Sequence, residues 1–236
     1  NDLYDFISGA DNQNRLGPVR AVQSGLLTKK QIKLGAFICF GLALLIGIYL
    51  VFIGGLPILL IGSFAIISGY CYTAGPYPLG YNGLGDIFVF IFFGLIAIPG
   101  TYYLQTNILF DIDSIIIGVS IGCIAVAVLC VNNIRDIESD QKVEKKTLAV
   151  RFGRLPTVFL YDMMIVISYL CILVLFTNSD FYWDLSLCLL LFSIPLAFKL
   201  IIDVHNKNGS QLNSVLLDTV NFMRVFSILL ILGLIL

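Results

Sequence analysis

The sequence predicts an all-α protein, a polytopic bundle of transmembrane helices. Hydrophobic residues make up 58% of the 236 residues and charged residues only 12%, whereas soluble domains average about 45–50% and about 25%. So few charges could not cover the surface of a soluble domain, and most of the surface must therefore face lipid. The net charge of −1 also lacks the positive excess that is typical of a nucleic-acid-binding protein.

Seven apolar stretches are long enough to cross a bilayer, which takes about 20 residues of α-helix. In order they are 34–53, 56–72, 86–104, 114–131, 157–177, 183–202 and 214–236. The first two are separated only by Gly54 and Gly55 ahead of Pro57, which predicts a tight helical hairpin. Pro99 and Pro195 fall within predicted spans, where neighbouring helices can satisfy the carbonyls that proline leaves unpaired. The stretches lack the period-two alternation of membrane β-strands.

The basic residues predict the orientation of these helices. Of the 14 Lys and Arg residues, 13 lie in one alternating set of loops, within 1–33, 132–156 and 199–213. The loops of the opposite set have none, and they lie around 54–55, 105–113 and 178–182. By the positive-inside rule the basic loops are cytoplasmic. The pattern predicts a multi-pass protein of the cell membrane (inner or plasma membrane).

Two acidic clusters occur in the predicted cytoplasmic loops. The first is NDLYDFISGAD, residues 1–11, and the second is NNIRDIESD, residues 132–140. Residues three or four positions apart share a helix face. In the first cluster the shared face carries Asn1, Asp2 and Asp5. In the second cluster it carries Asn132, Asp136 and Asp140. Four predicted crossings separate the clusters, so both return to the same side of the membrane and can face one cavity.

The chemistry of these clusters indicates a metal-bound diphosphate. Carboxylates gathered near hydrocarbon repel each other and are costly to ionise, so a cation must compensate. The candidate ligands are all oxygens, with no His or Cys in either cluster, which favours a hard divalent cation. Mg²⁺ typically bridges one or two carboxylates to substrate phosphates. Basic side chains suited to the remaining phosphate oxygens are Arg15, Arg20, Lys145, Lys146 and Arg151.

A diphosphate at the mouth of an apolar bundle indicates an isoprenoid tail inside it. Metal ions make diphosphate a good leaving group, and aromatic faces can stabilise the allylic cation that remains. The chain has 18 Phe and 11 Tyr. One aromatic cluster consists of Phe88, Phe90, Phe92 and Phe93. Each of these is more commonly a lipid-facing or core residue, and the sequence does not choose among them.

Both motifs resemble the UbiA superfamily of intramembrane aromatic prenyltransferases, and they are most similar to its 1,4-dihydroxy-2-naphthoate polyprenyltransferase branch. The similar stretches also include RLGPVRAVQSG after the first cluster, TLAVRFG after the second, and YTAGPYPLGYNGLGDIFVFIFFG at 72–94. The resemblance extends from Asn1 to about Gly153. Because that family has nine helices, the resemblance implies a single prenyltransferase domain over 1–236, with seven of nine spans and about two helices before Asn1.

The resemblance also implies site residues at matching positions. The catalytic Mg²⁺-binding acids would be Asp2, Asp5, Asp136 and Asp140. Asp11 would be a further metal ligand, where the naphthoate branch has its later acid; hydroxybenzoate enzymes have theirs at the position of Gly9. Diphosphate contacts would come from Asn1, Arg20, Asn132, Lys145 and Arg151. The loop at 73–85 resembles the substrate-gating loop of the family but lacks the basic residues of the hydroxybenzoate version.

The function implied by the resemblance is Mg²⁺-dependent transfer of a polyprenyl group from its diphosphate to 1,4-dihydroxy-2-naphthoate, giving demethylmenaquinone in menaquinone synthesis. Two alternatives remain. The same chemistry could use another acceptor, such as 4-hydroxybenzoate, haem, a chlorin or a glycerol phosphate. A cation-coupled transporter is disfavoured because transporters place ion-binding residues near the bilayer midplane on broken helices, whereas these acids lie at helix ends.

The remaining polar residues are expected to have structural roles. His205 lies in a loop beyond both motifs, Asp162 is expected near the membrane interface, and Asp86 is expected to cap the helix that it begins. Arg224 lies inside the last span and needs a partner. Asp218 is about 120° away around the same helix, so another helix is expected to supply that partner.

Overall fold

The structure is a computed structural model that describes residues 1–10, 16–178 and 185–235. All regular secondary structure in these ranges is helical, and the predicted all-α class is confirmed. The α-helices, in chain order, are α1 (Asp2–Ile7), α2 (Lys29–Cys71), α3 (Gly85–Thr106), α4 (Ile112–Arg135), α5 (Ile137–Lys142), α6 (Leu148–Phe152), α7 (Arg154–Asn178), α8 (Ile194–Asn206) and α9 (Leu212–Ile235). A 3-10 helix, Leu185–Ser193, leads directly into α8.

Six helical segments of the described ranges are long and apolar enough to cross a membrane. They are Lys29–Cys71, Gly85–Thr106, Ile112–Arg135, Arg154–Leu175, Cys188–Asn206 and Gly209–Ile235. The last five overlap the last five predicted spans. The sequence predicts seven spans rather than six, and the whole difference lies in α2, which covers the first two predicted spans as one segment.

Helix α2 is interrupted at a single residue. Gly55 has φ 64° and ψ −150°, a conformation that glycine adopts far more readily than other residues. The ring of Phe40 lies 3.6 Å from the position of a Cβ on Gly69. Residues 29 positions apart would be separated by about 43 Å along a straight helix. The two halves of α2 therefore fold back on each other at Gly55.

Helices α3 and α4 approach each other through glycines. A Cβ on Gly122 of α4 would lie 2.7 Å from the Cα of Gly94 in α3, so only glycine permits this spacing. Gly94 belongs to the π-helical turn Phe90–Ile96, and Pro99 follows within the same span. Proline lacks the N–H of a regular helix, and π-turns accommodate such interruptions. The close approach holds the start of α3 beside α4.

Helix α4 is the most deeply buried span and packs against α3, α7 and α9. The largest fully buried side chains include Tyr161 of α7 and Phe222 and Phe226 of α9. Large apolar side chains remain exposed on the outer faces, most of all on α2, where they suit contact with lipid. The buried centre of the bundle therefore lies around α4, whose last turn enters the site.

Polar contacts tie α7 to the end of α8. Arg154 Nη2 donates to the carbonyl oxygens of Val204 and Lys207 at 2.7 and 2.9 Å, which satisfies carbonyls that a helix end leaves unpaired. His205 Nε2 lies 2.8 Å from Asp162 Oδ2. The sequence does not predict this contact between His205 and Asp162, which joins α7 to α8.

Candidate functional site

The first acidic cluster lies on α1, next to the loop at 73–85. Asp5 is buried, and its Oδ1 accepts a hydrogen bond from the Tyr81 hydroxyl at 2.8 Å. The hydroxyl oxygen of Ser8 lies 2.6 Å from the same Tyr81 hydroxyl. The loop therefore contributes a side chain that holds the buried acid in place.

Asp2 binds the segment that follows α1. Its carboxylate oxygens accept hydrogen bonds from the backbone N–H groups of Ala21 and Val22 at 3.0 and 3.4 Å. This acid therefore anchors the main chain near Arg20. The proposed ligand Asp11 and the basic residue Arg15 lie outside the described residues.

The second acidic cluster spans the junction of α4 and α5. Because α4 ends at Arg135 and α5 begins at Ile137, Asp136 is the linking residue. Helical hydrogen bonds continue through it, from Asp136 N to Asn132 O at 3.1 Å and from Asp140 N to Asp136 O at 2.8 Å. The predicted stripe of three polar residues therefore persists although the helix is interrupted.

Arg135 neutralises the second cluster from within the protein. Its side chain is only 1% exposed, and its Nε and Nη2 donate to the two carboxylate oxygens of Asp136 at 2.7 and 2.6 Å. Nη2 also donates to Asn132 Oδ1, and Nη1 donates to Asn213 Oδ1 of α9. Such bidentate pairs combine charge with fixed geometry. The sequence predicts Arg135 only as a basic loop residue, because burial is not visible in a local charge pattern.

Lys145 connects the second cluster to the loop at 73–85. Its Nζ lies 3.4 Å from Asp140 Oδ1 and 5.4 Å from the centroid of the Tyr81 ring, within the range of a cation–π interaction. Burial raises the pKa of Asp140 to about 6, and the positive charge of Lys145 opposes this rise. Since Tyr81 also binds Asp5, this tyrosine contacts the first acidic cluster and the lysine that pairs with the second.

Arg151 holds the same loop through its main chain. Its Nε and Nη2 donate to the carbonyl oxygens of Lys146 and Asn82 at 3.1 and 2.8 Å, and Lys146 N donates to Tyr81 O at 2.8 Å. Gly83 has φ +73°, and a Cβ there would lie 2.8 Å from Lys146 O. Arg151 therefore positions the loop at 73–85 and is not among the residues that line the cavity.

One polar cavity brings the two clusters together. The sequence-predicted site residues in its wall are Asn1, Asp5, Arg20, Asn132, Asp136, Asp140 and Lys145. The 73–85 region and its flanks add polar side chains that the sequence does not single out as ligands, namely Tyr72, Thr73, Tyr81 and Asp86. Acids, amides and bases from three separate parts of the chain therefore face a shared space.

Asp86 is an additional acid in the cavity wall. It is only 5% exposed, and its Oδ1 has no hydrogen-bond partner among the described residues. The N-cap position of α3 is Leu84, without a side-chain capping bond, and Asp86 lies in the first turn, where an acid interacts favourably with the helix dipole. An ionisable residue at the start of an apolar span is itself a signal of function, and that signal was present in the sequence.

The donor atoms fit a hard divalent cation. The acids and amides of the cavity supply oxygen ligands, and Asp140 Oδ2 is buried with no hydrogen-bond partner in the part of the chain that the structure describes. Within the described part of the chain, no three His, Cys, Asp or Glu side chains form a group that could hold a metal ion. Mg²⁺ typically takes only one or two carboxylates and completes its shell with water and substrate phosphate, so a shared site with a diphosphate suits these residues.

An apolar groove adjoins the polar cavity, and both are lined by Asn1 and Tyr72. The other lining residues of the groove are Ala65, Ser68, Gly69, Phe88, Val89, Phe92 and Phe93. Phe64 stacks on Phe92, with ring centroids 5.2 Å apart and planes 23° apart. Three members of the predicted aromatic cluster thus line the groove, whereas Phe90 packs close to Gly122 of α4.

Arg224 and Asp218 lie away from this site on α9. Arg224 Nη1 donates to Asn221 Oδ1 at 3.1 Å, so the expectation that another helix supplies its partner is wrong. Residues three positions apart are neighbours on a helix surface, so Asn221 of the same helix can pair with Arg224. Asp218 instead pairs with Lys199 of α8 at 3.1 Å.

Comparison of the sequence with known proteins identifies the family of the chain. The model described as UbiA prenyltransferase family matches residues 1–228. The chain belongs to the UbiA prenyltransferase family. Because it belongs to this family and has several helices long and apolar enough to span a bilayer, the protein is a membrane-embedded prenyltransferase that crosses the membrane several times.

Relatives within the UbiA prenyltransferase family cover most of the chain. A protein of Haemophilus influenzae named 1,4-dihydroxy-2-naphthoate octaprenyltransferase is 37% identical over 99% of this chain and 77% of its own length. A protein of the same name from Mycobacterium tuberculosis is 34% identical over 97% of this chain and 76% of its own length. UbiA prenyltransferase domain-containing protein 1 of Dictyostelium discoideum is 30% identical over 90% of this chain and 64% of its own length. No solved structure matches the chain.

Proposed function

We propose that this UbiA-family protein transfers a polyprenyl group from polyprenyl diphosphate to 1,4-dihydroxy-2-naphthoate in a Mg²⁺-dependent reaction that gives demethylmenaquinone in its reduced, quinol form. The continuity of two spaces carries the proposal, because the polar cavity meets the apolar groove at Asn1 and Tyr72. A diphosphate suits the first space and an isoprenoid tail suits the second. The names of the Haemophilus influenzae and Mycobacterium tuberculosis relatives support the naphthoate acceptor.

The diphosphate binds between the two acidic clusters. Asp5, Asp136 and Asp140 supply oxygen ligands for Mg²⁺, while Arg20 and Lys145 bind phosphate oxygens. When bound, Mg²⁺ supplies positive charge that stabilises the diphosphate as it leaves. All five of these residues line the same cavity. The protein residues thereby hold the leaving group in one orientation relative to the groove.

The prenyl tail occupies the groove. The bond between C1 of the chain and the diphosphate oxygen breaks, and its electron pair stays on the diphosphate. The ring carbon of the acceptor that bears the carboxylate forms a bond to C1. The carboxylate then leaves as CO₂, and the electron pair of the broken C–C bond restores the aromatic ring. The aromatic rings of Phe88 and Phe92 face this path and stabilise the allylic cation. The apolar walls also exclude water, which would otherwise capture the cation.

The proposed topology has seven crossings, with each half of α2 crossing once and the site on the cytoplasmic face of the cell membrane. The fold-back at Gly55 and the basic loops support it. In a variant without the six native cysteines, single cysteines at 75–85 and 140–150 should react with an impermeant thiol reagent only from the cytoplasmic side. Cysteines at 106–112 should react only from outside. Labelling of 75–85 and 140–150 from opposite faces would exclude a shared site.

The acceptor and the metal can be tested in one assay. The purified full-length protein is given one polyprenyl diphosphate, Mg²⁺ and a panel of aromatic acceptors, and the products are identified by mass. We expect kcat/KM for 1,4-dihydroxy-2-naphthoate to exceed that for 4-hydroxybenzoate by at least about tenfold, because a matched polar site discriminates strongly. Chelation of divalent cations should stop turnover. A preference for 4-hydroxybenzoate would refute the acceptor, and turnover in chelator would refute the metal.

A further inference from the structure

The point where the polar cavity meets the apolar groove determines where the acceptor must bind. Asn1 and Tyr72 line both spaces. In a polyprenyl diphosphate, C1 is the atom that joins the diphosphate to the tail, so it lies at this junction when each part occupies its own space. The attacking ring carbon must come within about 3–3.5 Å of C1. The aromatic acceptor therefore also binds beside the junction.

Asp86 supplies an unpaired hydrogen-bond acceptor in this region. The carboxylate of Asp5 is held by Tyr81, and that of Asp136 by Arg135. Asp86 Oδ1, in contrast, has no hydrogen-bond partner among the described residues, although Asp86 is only 5% exposed. Burying a polar atom without a hydrogen bond is costly. An acid in that state, in the wall of a substrate cavity, indicates that the ligand supplies the donor.

Tyr72 places a hydroxyl next to the same turn of α3. Its hydroxyl oxygen lies 2.9 Å from the position of a Cβ on Gly85, so glycine allows the tyrosine to reach the residue that precedes Asp86. Burial raises the pKa of Tyr72 to about 12, and the charge of Asp86 contributes to the rise. The hydroxyl therefore stays protonated and able to donate. The next turn of α3 carries Phe88 into the groove.

We propose that Asp86 and Tyr72 form the subsite for the hydroxyl-bearing edge of the aromatic acceptor. Asp86 Oδ1 accepts a hydrogen bond from a ring hydroxyl, and the Tyr72 hydroxyl donates to a neighbouring oxygen of the same acceptor. The subsite rests on the proposed function and adds to it the residues that orient the second substrate. A hydrogen bond from the hydroxyl to a carboxylate also increases electron density in the ring, which favours attack on C1.

The test compares the acceptor with its O-methyl ethers, which cannot donate a hydrogen bond. In the wild-type full-length protein, methylation of the bound hydroxyl should lower kcat/KM at least about tenfold, because a hydrogen bond to a charged group is lost. In Asp86→Asn and Asp86→Ala, kcat/KM for the unmodified acceptor should fall by a similar factor. Asp86→Ala should no longer discriminate between the acceptor and its ether. The KM for polyprenyl diphosphate and the Mg²⁺ dependence should stay unchanged.

Asp113→Asn is the matched control, because Asp113 lies in the first turn of α4 as Asp86 lies in the first turn of α3. If the two variants behave alike, Asp86 acts only as a helix-end charge and the subsite is refuted. Equal kcat/KM of the wild type for the acceptor and for its O-methyl ethers would by itself refute the proposed subsite. A raised KM for polyprenyl diphosphate in Asp86→Asn would assign Asp86 to the diphosphate site instead. Absence of wild-type turnover with 1,4-dihydroxy-2-naphthoate would refute the proposed function and not the geometry of the subsite.

Discussion

Replacing Asp5 with Ala in the full-length protein is expected to lower prenyl transfer at least about a hundredfold, since removing one preorganised charge contact typically costs that much. Asp5 is buried in the cavity wall, and the proposal makes it a Mg²⁺ ligand. Membrane insertion should continue because no apolar span is altered. The measurement is steady-state turnover over a range of Mg²⁺ concentrations, together with the amount of protein in the membrane fraction.

Asp136→Asn extends the test to the second cluster. Asn keeps an oxygen that can accept from Arg135 but removes the negative charge, so turnover should again fall at least about a hundredfold. Turnover is measured per folded protein, because Arg135 loses its charged partner. Glu138→Ala is the control, because Glu138 is an exposed acid of the neighbouring α5 that does not line the cavity. It should keep nearly full activity. Retention of more than about a tenth of wild-type turnover, a loss of only about 1.4 kcal/mol, in either cavity variant would refute the two-cluster model.

Arg135→Leu is expected to destabilise the protein by about 3–5 kcal/mol, the usual effect of removing one member of a buried ion pair. The substitution leaves Asp136 buried without its bidentate partner and removes the hydrogen bonds to Asn132 and Asn213. The unfolding midpoint in detergent should fall by roughly 10 °C, and turnover should be lost because Asp136 is no longer positioned.

Two further variants separate pairing from simple loss of charge. Lys142→Leu removes an exposed positive charge from the adjacent α5 and should leave the unfolding midpoint nearly unchanged. The double variant Arg135→Leu with Asp136→Leu removes both buried charges and should be more stable than Arg135→Leu alone, because no unpaired charge remains. A double variant less stable than the single one would show that Arg135 stabilises the fold independently of Asp136.

The sequence by itself determined the features that depend on local pattern. The composition identified a membrane protein, because the number of apolar and charged residues decides whether the surface can face water. Five of the seven predicted spans each overlap a separate observed helical segment and the first two lie together in α2, since an apolar run of about 20 residues already defines a helix in lipid. The stripe of Asn132, Asp136 and Asp140 followed from helix periodicity. The adjacent Gly54 and Gly55 indicated where α2 is interrupted.

Only the tertiary structure decided how these elements meet. Tyr81 binds Asp5, which is 76 residues away in sequence, and contacts Lys145 on its other side. Arg135 is buried and pairs with Asp136, whereas the sequence predicts it as a loop residue. Asp86 Oδ1 is buried in the cavity wall without a hydrogen-bond partner among the described residues. The physical reason is the same in each case. Desolvation and hydrogen-bond satisfaction depend on which distant segments surround a side chain, and local periodicity contains no information about those neighbours.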